Sequence, residues 1–247
     1  MVVLKKILDF YVNSSLHVAL SAFALVSMTQ YFFGVQGDFS VAFFAFFGTV
    51  VGYNFVKYDA IARLNKTEIK KELKAIVFLS FISLLACFYF FLQLRWATKL
   101  SAFAFFGLTL LYTLPFFPNK QNARNWKGVK IYIVGITWVG VTVVLPLVEA
   151  EIPFSIDVLL MAFQRFLLVF SIVLVFDIVN VKYDDLHLQT VPQKIGVELT
   201  KKLGYLLLFL LLLLEFFYTN NQHFLPLFFK LLVCGTIAVF LYFANEN

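Results

Sequence analysis

Residues 166–176 read FLLVFSIVLVF, and residues 177–185, which follow without a break, read DIVNVKYDD. The first segment is continuously apolar apart from Ser171, whereas a strand of a membrane barrel alternates apolar and polar residues. With the residues before it, the apolar stretch covers 156–178, which is enough to cross a bilayer, since a spanning helix needs about 20 mostly apolar residues. The sequence therefore predicts a membrane helix with carboxylates at its end.

The composition extends this interpretation to the whole chain. Hydrophobic residues make up 62% and charged residues 14% of 247 residues, whereas soluble domains are about 45–50% apolar. A soluble fold of this size hides only about three-quarters of its surface, so lipid is the better solvent for so much apolar area. We predict an all-α, polytopic bundle in a single transmembrane domain, with spans at 9–33, 39–57, 74–93, 97–116, 129–148, 156–178, 201–218 and 224–243.

Orientation follows from the basic residues, which favour the cytoplasmic side. Of the 20 lysines and arginines, sixteen lie in segments that are inside if the N-terminus is cytoplasmic. Only Arg95 and Lys99 lie in outside segments, and Arg165 and Lys230 fall within spans. We expect both termini to be cytoplasmic. The first span is too long for the apolar part of a signal peptide, so we interpret it as one membrane helix.

Three long polar connections, at 58–73, 117–128 and 179–200, leave even-numbered spans and therefore meet at the same cytoplasmic face. Asn54 ends the second span and Asp177 ends the sixth, four helices later. This spacing is compatible with two homologous four-helix halves, at about 1–125 and 126–247.

The carboxylates after residue 176 share one face if the helix continues, because Asp177, Asn180, Asp184 and approximately Asp185 lie at offsets of three, seven and eight residues. Oxygen ligands of this kind suit Mg²⁺, which takes a few carboxylates together with phosphate oxygens. The alternative is a solvated helix end with ordinary charges. A carboxylate within a span costs about 2.5–3.5 kcal/mol and needs a partner or water, which favours a function for Asp177.

The end of the second span carries a related group. Asn54, Lys57 and Tyr58 share a helix face, so the amide oxygen of Asn54 could ligate a metal and Lys57 could bind phosphate. The alternative is an interfacial anchor, for which lysine and tyrosine are common.

A third group follows the fourth span, where residues 111–115 read LYTLP and include Tyr112. Four cations come next: Lys120, Arg124, Lys127 and Lys130. Lysine and arginine recognise phosphate, although the positive-inside bias explains the same residues equally well.

These segments together resemble the UbiA-type intramembrane prenyltransferase superfamily. Asp177–Asp184 resembles its second motif, D-x-x-D-x-x-x-D, with Asn180 at the middle aspartate. Residues 189–196 (QTVPQKIG) are similar to the K-T-x-P…G that follows it, and LYTLP resembles L-Y-S-x-P. The first motif, N-D-x-x-D-x-x-x-D, keeps only Asn54, because Phe55, Tyr58 and Ala62 replace its aspartates.

The resemblance implies an eight- or nine-helix fold that transfers a prenyl group from a polyprenyl diphosphate to an aromatic or other lipophilic acceptor. It implies Asp177, Asp184 and Asn54 as catalytic residues and Asn54, Asp177, Asn180 and Asp184 as Mg²⁺ ligands. The diphosphate would contact Lys57, Arg124, Lys130 and Tyr112. Two of the family's six carboxylates remain, so the alternative is a non-catalytic membrane protein that keeps the bundle for lipid binding or assembly.

One charge lies apart from these motifs. Arg165 falls about 13 Å below the outer end of its span, at 1.5 Å per residue. A charge at this depth pairs with another or faces a cavity, and we expect its partner to be Glu215 of the next span.

Overall fold

The structure is a computed structural model that describes residues 2–64, 71–114, 126, 128–185, 188–218 and 224–245. Within these residues every regular element is helical, which confirms the all-α prediction. The helices are α1 (Val2–Asn13), α2 (Leu16–Phe32), α3 (Ser40–Leu64), α4 (Lys71–Gln93), α5 (Trp96–Thr113), α6 (Lys130–Val139), α7 (Leu145–Glu149), α8 (Ile156–Asn180), α9 (Val191–Ile195), α10 (Val197–Leu213) and α11 (Phe224–Phe243).

Several of these helices are long and apolar enough to cross a membrane. In the described part of the chain they are Ser40–Tyr58, Leu73–Gln93, Lys130–Glu149 and Ile156–Asn180. A fifth candidate is the bent pair Leu4–Asn13 and Leu16–Phe32, and Leu227–Phe243 is a shorter apolar helix. The described part of the chain is therefore all-helical, with about four to five apolar helices that could span a membrane.

The predicted first span, 9–33, is not one helix. The axes of Leu4–Asn13 and Leu16–Phe32 differ by 63°, and Ser15 between them has a left-handed backbone with φ 60°. Asn13, Ser14 and Ser15 are poor helix formers, because their side chains compete for backbone hydrogen bonds. The carbonyl of Asn13 instead accepts hydrogen bonds from Lys57 Nζ (3.3 Å) and Tyr58 Oη (2.9 Å).

The chain divides into two compact units, neither of which is a continuous half: one comprises 1–102 and 144–152, and the other 103–143 and 153–247. The two homologous halves predicted from the sequence stay a prediction, because compactness does not measure likeness between segments.

In the first unit α3 packs against both α2 and α4. Phe43 and Phe47 of α3 stack on Phe90 of α4, with ring centroids 5.1 and 5.9 Å apart. At the far end of α4, the backbone N–H of Arg95 donates to Glu149, and its guanidinium pairs with Glu151 at 2.5 Å. The segment 144–152 is thereby joined to the turn that follows α4.

In the second unit α8 packs against α6 and α10, and α11 packs against α10. Two glycines permit close approach. A Cβ on Gly135 of α6 would lie 2.6 Å from the Phe166 ring of α8, and one on Gly204 of α10 would lie 2.7 Å from Leu241 of α11. The core between α8, α10 and α11 contains Leu167, Ile178, Leu208, Leu211, Cys234, Ile237 and Leu241.

The predicted span 129–148 contains one irregular turn. Residues Gly140–Val144 form a π-helical turn between α6 and α7. Pro146 follows it and has no N–H to donate to the carbonyl four residues earlier, which favours a local widening of the helix.

Candidate functional site

The predicted carboxylate Asp177 lies in the last turn of α8 and is 2% exposed. Its Oδ1 accepts a hydrogen bond from Nζ of Lys130, the first residue of α6, at 2.9 Å. The packing of α6 on α8 brings the two residues together. An ionised carboxylate in an apolar helix bundle requires a counter-charge, and Lys130 supplies it. The Lys130 side chain is 23% exposed, whereas that of Asp177 is 3% exposed.

Asp184 belongs to the same group. Helix α8 ends at Asn180, but the backbone N–H groups of Tyr183 and Asp184 both donate to the Asn180 carbonyl at 2.9 Å, so the chain makes one more turn. That turn holds the Asp184 carboxylate within electrostatic range of Asp177. Oδ2 of Asp184 is buried without a hydrogen-bond partner among the described residues. Two acidic groups therefore lie near each other at the end of α8, and one of them is paired with Lys130.

The loop after this turn folds back on the site through Gln193. Its Nε2 donates to the carbonyls of Asp184 (3.1 Å) and Asp185 (3.3 Å), and its Oε1 accepts from the N–H of Thr190 at 2.9 Å. Thr190 thereby caps the start of α9, and Pro192 follows within the first turn of the helix, where the missing N–H costs nothing. The segment 189–196 consequently holds the backbone that carries Asp184.

The start of α6 is attached to the same loop. The N–H of Gly128 donates to the Leu188 carbonyl at 3.0 Å. Gly128 has φ +68°, and a Cβ there would lie 3.6 Å from Lys194 Nζ. Sequence reasoning singled out neither Gln193 nor Lys194 as a site residue. The match of 189–196 to a motif that follows the second aspartate motif was the signal that could have found them.

Asn180, predicted as a further ligand on the same face, has an exposed side chain at the end of α8. Tyr112 lies half-buried in α5. Arg124 lies outside the described residues. The structure thus brings together Lys130, Asp177 and Asp184 from the predicted set.

Asn54 and Lys57 belong to the other compact unit. Asn54 is 4% exposed, and its Nδ2 donates to Oγ of Ser80 in α4 at 2.9 Å. Ser80 donates in turn to the Ile76 carbonyl at 2.9 Å, and the Asn54 amide oxygen is buried without a partner in the described residues. Lys57 does not accompany it, because its ammonium and the Tyr58 hydroxyl bind the Asn13 carbonyl.

A second buried polar cluster lies nearer the start of α8, built around Gln164. Its Nε2 donates to the Leu211 carbonyl and to Glu215, both at 3.0 Å. Its Oε1 accepts from Tyr218 Oη at 2.8 Å and from Lys230 Nζ at 3.0 Å. Glu215 also forms an ion pair with Lys230 of α11, at 2.5 Å. The pairing of Glu215 with Arg165 that the sequence suggested stays a prediction. We call Gln164, Glu215, Tyr218 and Lys230 the Gln164 network.

Arg165 lies next to this network and is 4% exposed. One of its guanidinium nitrogens is 4.0 Å from Met161 Sδ, and its charge acts on both Tyr218 and Lys230. A buried cation beside a compensated ion pair is the arrangement expected of a structural cluster inside a bundle.

The acidic residues at the end of α8 supply part of the oxygen ligands that a hard cation such as Mg²⁺ needs. The described residues contain no group of three or more His, Cys, Asp or Glu side chains that could hold a metal. Asp177 and Asp184 offer two carboxylates, one of them with an unpartnered buried oxygen. Mg²⁺ is commonly held by one or two carboxylates when substrate phosphates complete its coordination, so this pair fits a metal that arrives with its substrate.

Comparisons with protein-family models, with curated proteins and with solved structures gave no match to the chain.

Proposed function

We propose that the chain is a membrane prenyltransferase of the UbiA type, which binds a polyprenyl diphosphate at the cytoplasmic end of α8. The observation that supports the proposal is the ion pair of Lys130 with the buried Asp177, beside Asp184, whose Oδ2 is buried and has no hydrogen-bond partner among the described residues. Buried carboxylates in a membrane helix are costly, and they mark functional sites more often than packing. The resemblance of residues 177–184 and 189–196 to the second prenyltransferase motif agrees with this use.

Asp177 and Asp184 would hold Mg²⁺, which on binding would draw charge from the leaving diphosphate. Asn180 and Asn54 complete the proposed ligand set, and Asp177, Asp184 and Asn54 the proposed catalytic set. Lys57, Tyr112, Arg124 and Lys130 would contact the diphosphate. Lys130 orients Asp177 through the 2.9 Å hydrogen bond, and its partly exposed ammonium can also meet a phosphate oxygen. Gln193 holds the backbone of Asp184 in place.

The donor tail and the lipophilic, aromatic acceptor would enter from the bilayer, in a bundle of about eight helices. Both termini would be cytoplasmic, since sixteen of the 20 basic residues lie in the predicted inner segments. A membrane-impermeant thiol reagent tests this orientation in intact cells. We expect it to leave a cysteine at Asp185 unmodified and to modify one at Gln36. The reverse pattern would invert the topology.

The test of function is binding of a radiolabelled polyprenyl diphosphate to the detergent-purified protein, with and without Mg²⁺. We expect Mg²⁺-dependent binding, weakened on the order of tenfold or more by Asp177→Asn or Asp184→Asn. Asp185→Asn is the matched control, because it removes an exposed carboxylate from the adjacent position. Binding that changes neither on removal of Mg²⁺ nor in Asp177→Asn, for prenyl tails of several lengths, would contradict a diphosphate site.

A second function is favoured by one observation: within the described residues, Lys130 already neutralises Asp177 and no third acidic group joins the pair. This arrangement suits a non-catalytic relative that keeps the bundle for lipid binding or assembly. Such a protein would bind the prenyl alcohol as tightly as the diphosphate. Equal affinity for the two ligands without Mg²⁺ would favour this function, and a strong preference for the diphosphate would favour the enzyme.

A further inference from the structure

Helix α1 diverges from α2 by 63°, and one backbone conformation and two hydrogen bonds accompany this bend. Ser15 has a left-handed backbone, and Lys57 Nζ and Tyr58 Oη both donate to the Asn13 carbonyl. The bend is therefore attached to the end of α3. At 12 residues, α1 is about 18 Å long, too short to cross a hydrocarbon core of about 30 Å.

The two faces of α1 differ sharply. At 100° per residue, the polar side chains fall within an arc of about 100° and large apolar side chains occupy the opposite side. Leu4, Ile7 and Leu8 of the apolar face are 71%, 62% and 60% exposed. The polar arc consists of Lys5, Lys6, Asp9 and Asn13.

We propose that α1 is an interfacial anchor that lies along the membrane surface, with Leu4, Ile7 and Leu8 among the acyl chains and its lysines at anionic lipid headgroups. A short helix with one apolar and one lysine-bearing face is typical of elements in the headgroup region. The 17 residues of its continuation α2 are mostly apolar and would form the membrane-inserted part of the bent pair, and the 63° bend turns α1 away from the α2 axis.

The charge around α1 indicates which lipids it meets. Lys5 and Lys6 outnumber Asp9 on the polar face, and Lys57 adds a third cation at the Asn13 end. Cations near a membrane surface are attracted to anionic headgroups. A protein partner would have to cover the same apolar face. The accessibility of spin labels on α1 distinguishes lipid from a protein partner.

The experiment scans α1 with nitroxide labels on the full chain in nanodiscs that contain anionic lipid. Single cysteines at Leu4, Lys6, Ile7, Leu8 and Asp9 are placed in a Cys87→Ala/Cys234→Ala background, and each variant is checked for unchanged helical content. Labels at positions 4, 7 and 8 should be accessible to oxygen dissolved in lipid. Labels at 6 and 9 should be accessible to a water-soluble nickel complex.

Two patterns would overturn the interfacial anchor. Nickel accessibility at all five positions would mean that lipid does not cover the apolar face and that it serves another partner. A steady change from position 4 to position 9, without helical periodicity, would mean that α1 continues the span of α2.

A separate measurement tests whether α1 prefers anionic lipid. With the label at Leu8, exchange of anionic for zwitterionic lipid should shift the label towards water. Lys5→Gln with Lys6→Gln should produce the same shift in anionic nanodiscs. Identical accessibility in both lipids would overturn the assignment of anionic headgroups.

Discussion

Both ends of α8 carry buried charge, but they satisfy it differently. Near its start, Gln164 uses both amide hydrogens and both oxygen lone pairs on protein partners, and Lys230 and Glu215 compensate each other at 2.5 Å. At its end, Lys130 pairs with Asp177, while one oxygen of the neighbouring Asp184 has no partner in the part of the chain that the structure describes. A network whose polar groups all find protein partners stabilises a fold. An unsatisfied buried oxygen costs about 1–3 kcal/mol, and a departure of this kind is expected at functional or strained sites.

The comparison also separates the two lysines by exposure. The Lys230 side chain is 11% exposed and that of Lys130 is 23% exposed. A counter-ion enclosed by the bundle contacts only groups of the protein, while a more exposed one can also contact a charged molecule from outside. We therefore expect changes in the Gln164 network to affect stability most, and changes at the Asp177 end to affect binding as well.

The largest effect is expected from Glu215→Gln, which leaves Lys230 buried without its carboxylate and close to the charge of Arg165. Removal of one partner of a buried ion pair costs about 3–5 kcal/mol. The measurement is the free energy of unfolding in mixed micelles, followed by circular dichroism. Adding Lys230→Met should recover most of the loss, and a double variant no more stable than Glu215→Gln would show that the pair is not the cause.

Lys130→Met should have the next largest effect on stability, about 2–3 kcal/mol, because it leaves the Asp177 carboxylate buried and unpaired. In contrast to the Gln164 network, this change should also weaken diphosphate binding. The exchange Lys130→Asp with Asp177→Lys separates the two effects. It should restore stability but not binding, and restoration of both would show that only the ion pair matters here.

The helical class and the position of Asp177 could be predicted, because a carboxylate directly after a long apolar run must find a counter-charge. Lys130 was among the four cations expected near it. The break at Asn13–Ser15 could not be predicted, since the apolar pattern continues across it and the hydrogen bonds that hold it come from Lys57 and Tyr58, far along the chain.

The Gln164 network contains an ion pair that could not be predicted from the sequence. Arg165 and Lys230 are both basic residues inside predicted spans, so their positions along those spans did not show that Lys230 pairs with Glu215. The packing of α11 against α10 and α8 brings Lys230 to this carboxylate. Gln193 could not be predicted as a site residue for a similar reason. Its side chain acts by donating hydrogen bonds to the backbone carbonyls of Asp184 and Asp185, which come together only in the folded loop.

Gly135→Val tests whether helix packing alone delivers Lys130 to Asp177. The added side chain would meet the Phe166 ring, whose nearest atom is 2.6 Å from the position of a Cβ. Overpacking of this kind costs about 1–3 kcal/mol, and we expect about 2 kcal/mol with a parallel loss of diphosphate affinity. Gly107→Val in α5 is the matched control, because no atom lies within 4 Å of a Cβ there. Equal losses in both variants would indicate a general effect of valine in a helix.

Gln193→Ala should have the smallest effect on stability, about 1 kcal/mol, since it removes exposed and partly buried hydrogen bonds. Its effect on binding should be larger than this loss suggests, because Gln193 joins the start of α9 to the backbone that positions Asp184. Gln193→Glu is the informative control: it keeps the acceptor for the Thr190 N–H and removes the donor to Asp184 and Asp185. If Glu restores stability but not affinity for the diphosphate, the donor bonds position the carboxylate. If Glu restores both, the loop only has to begin α9, and Asp184 needs no support from Gln193.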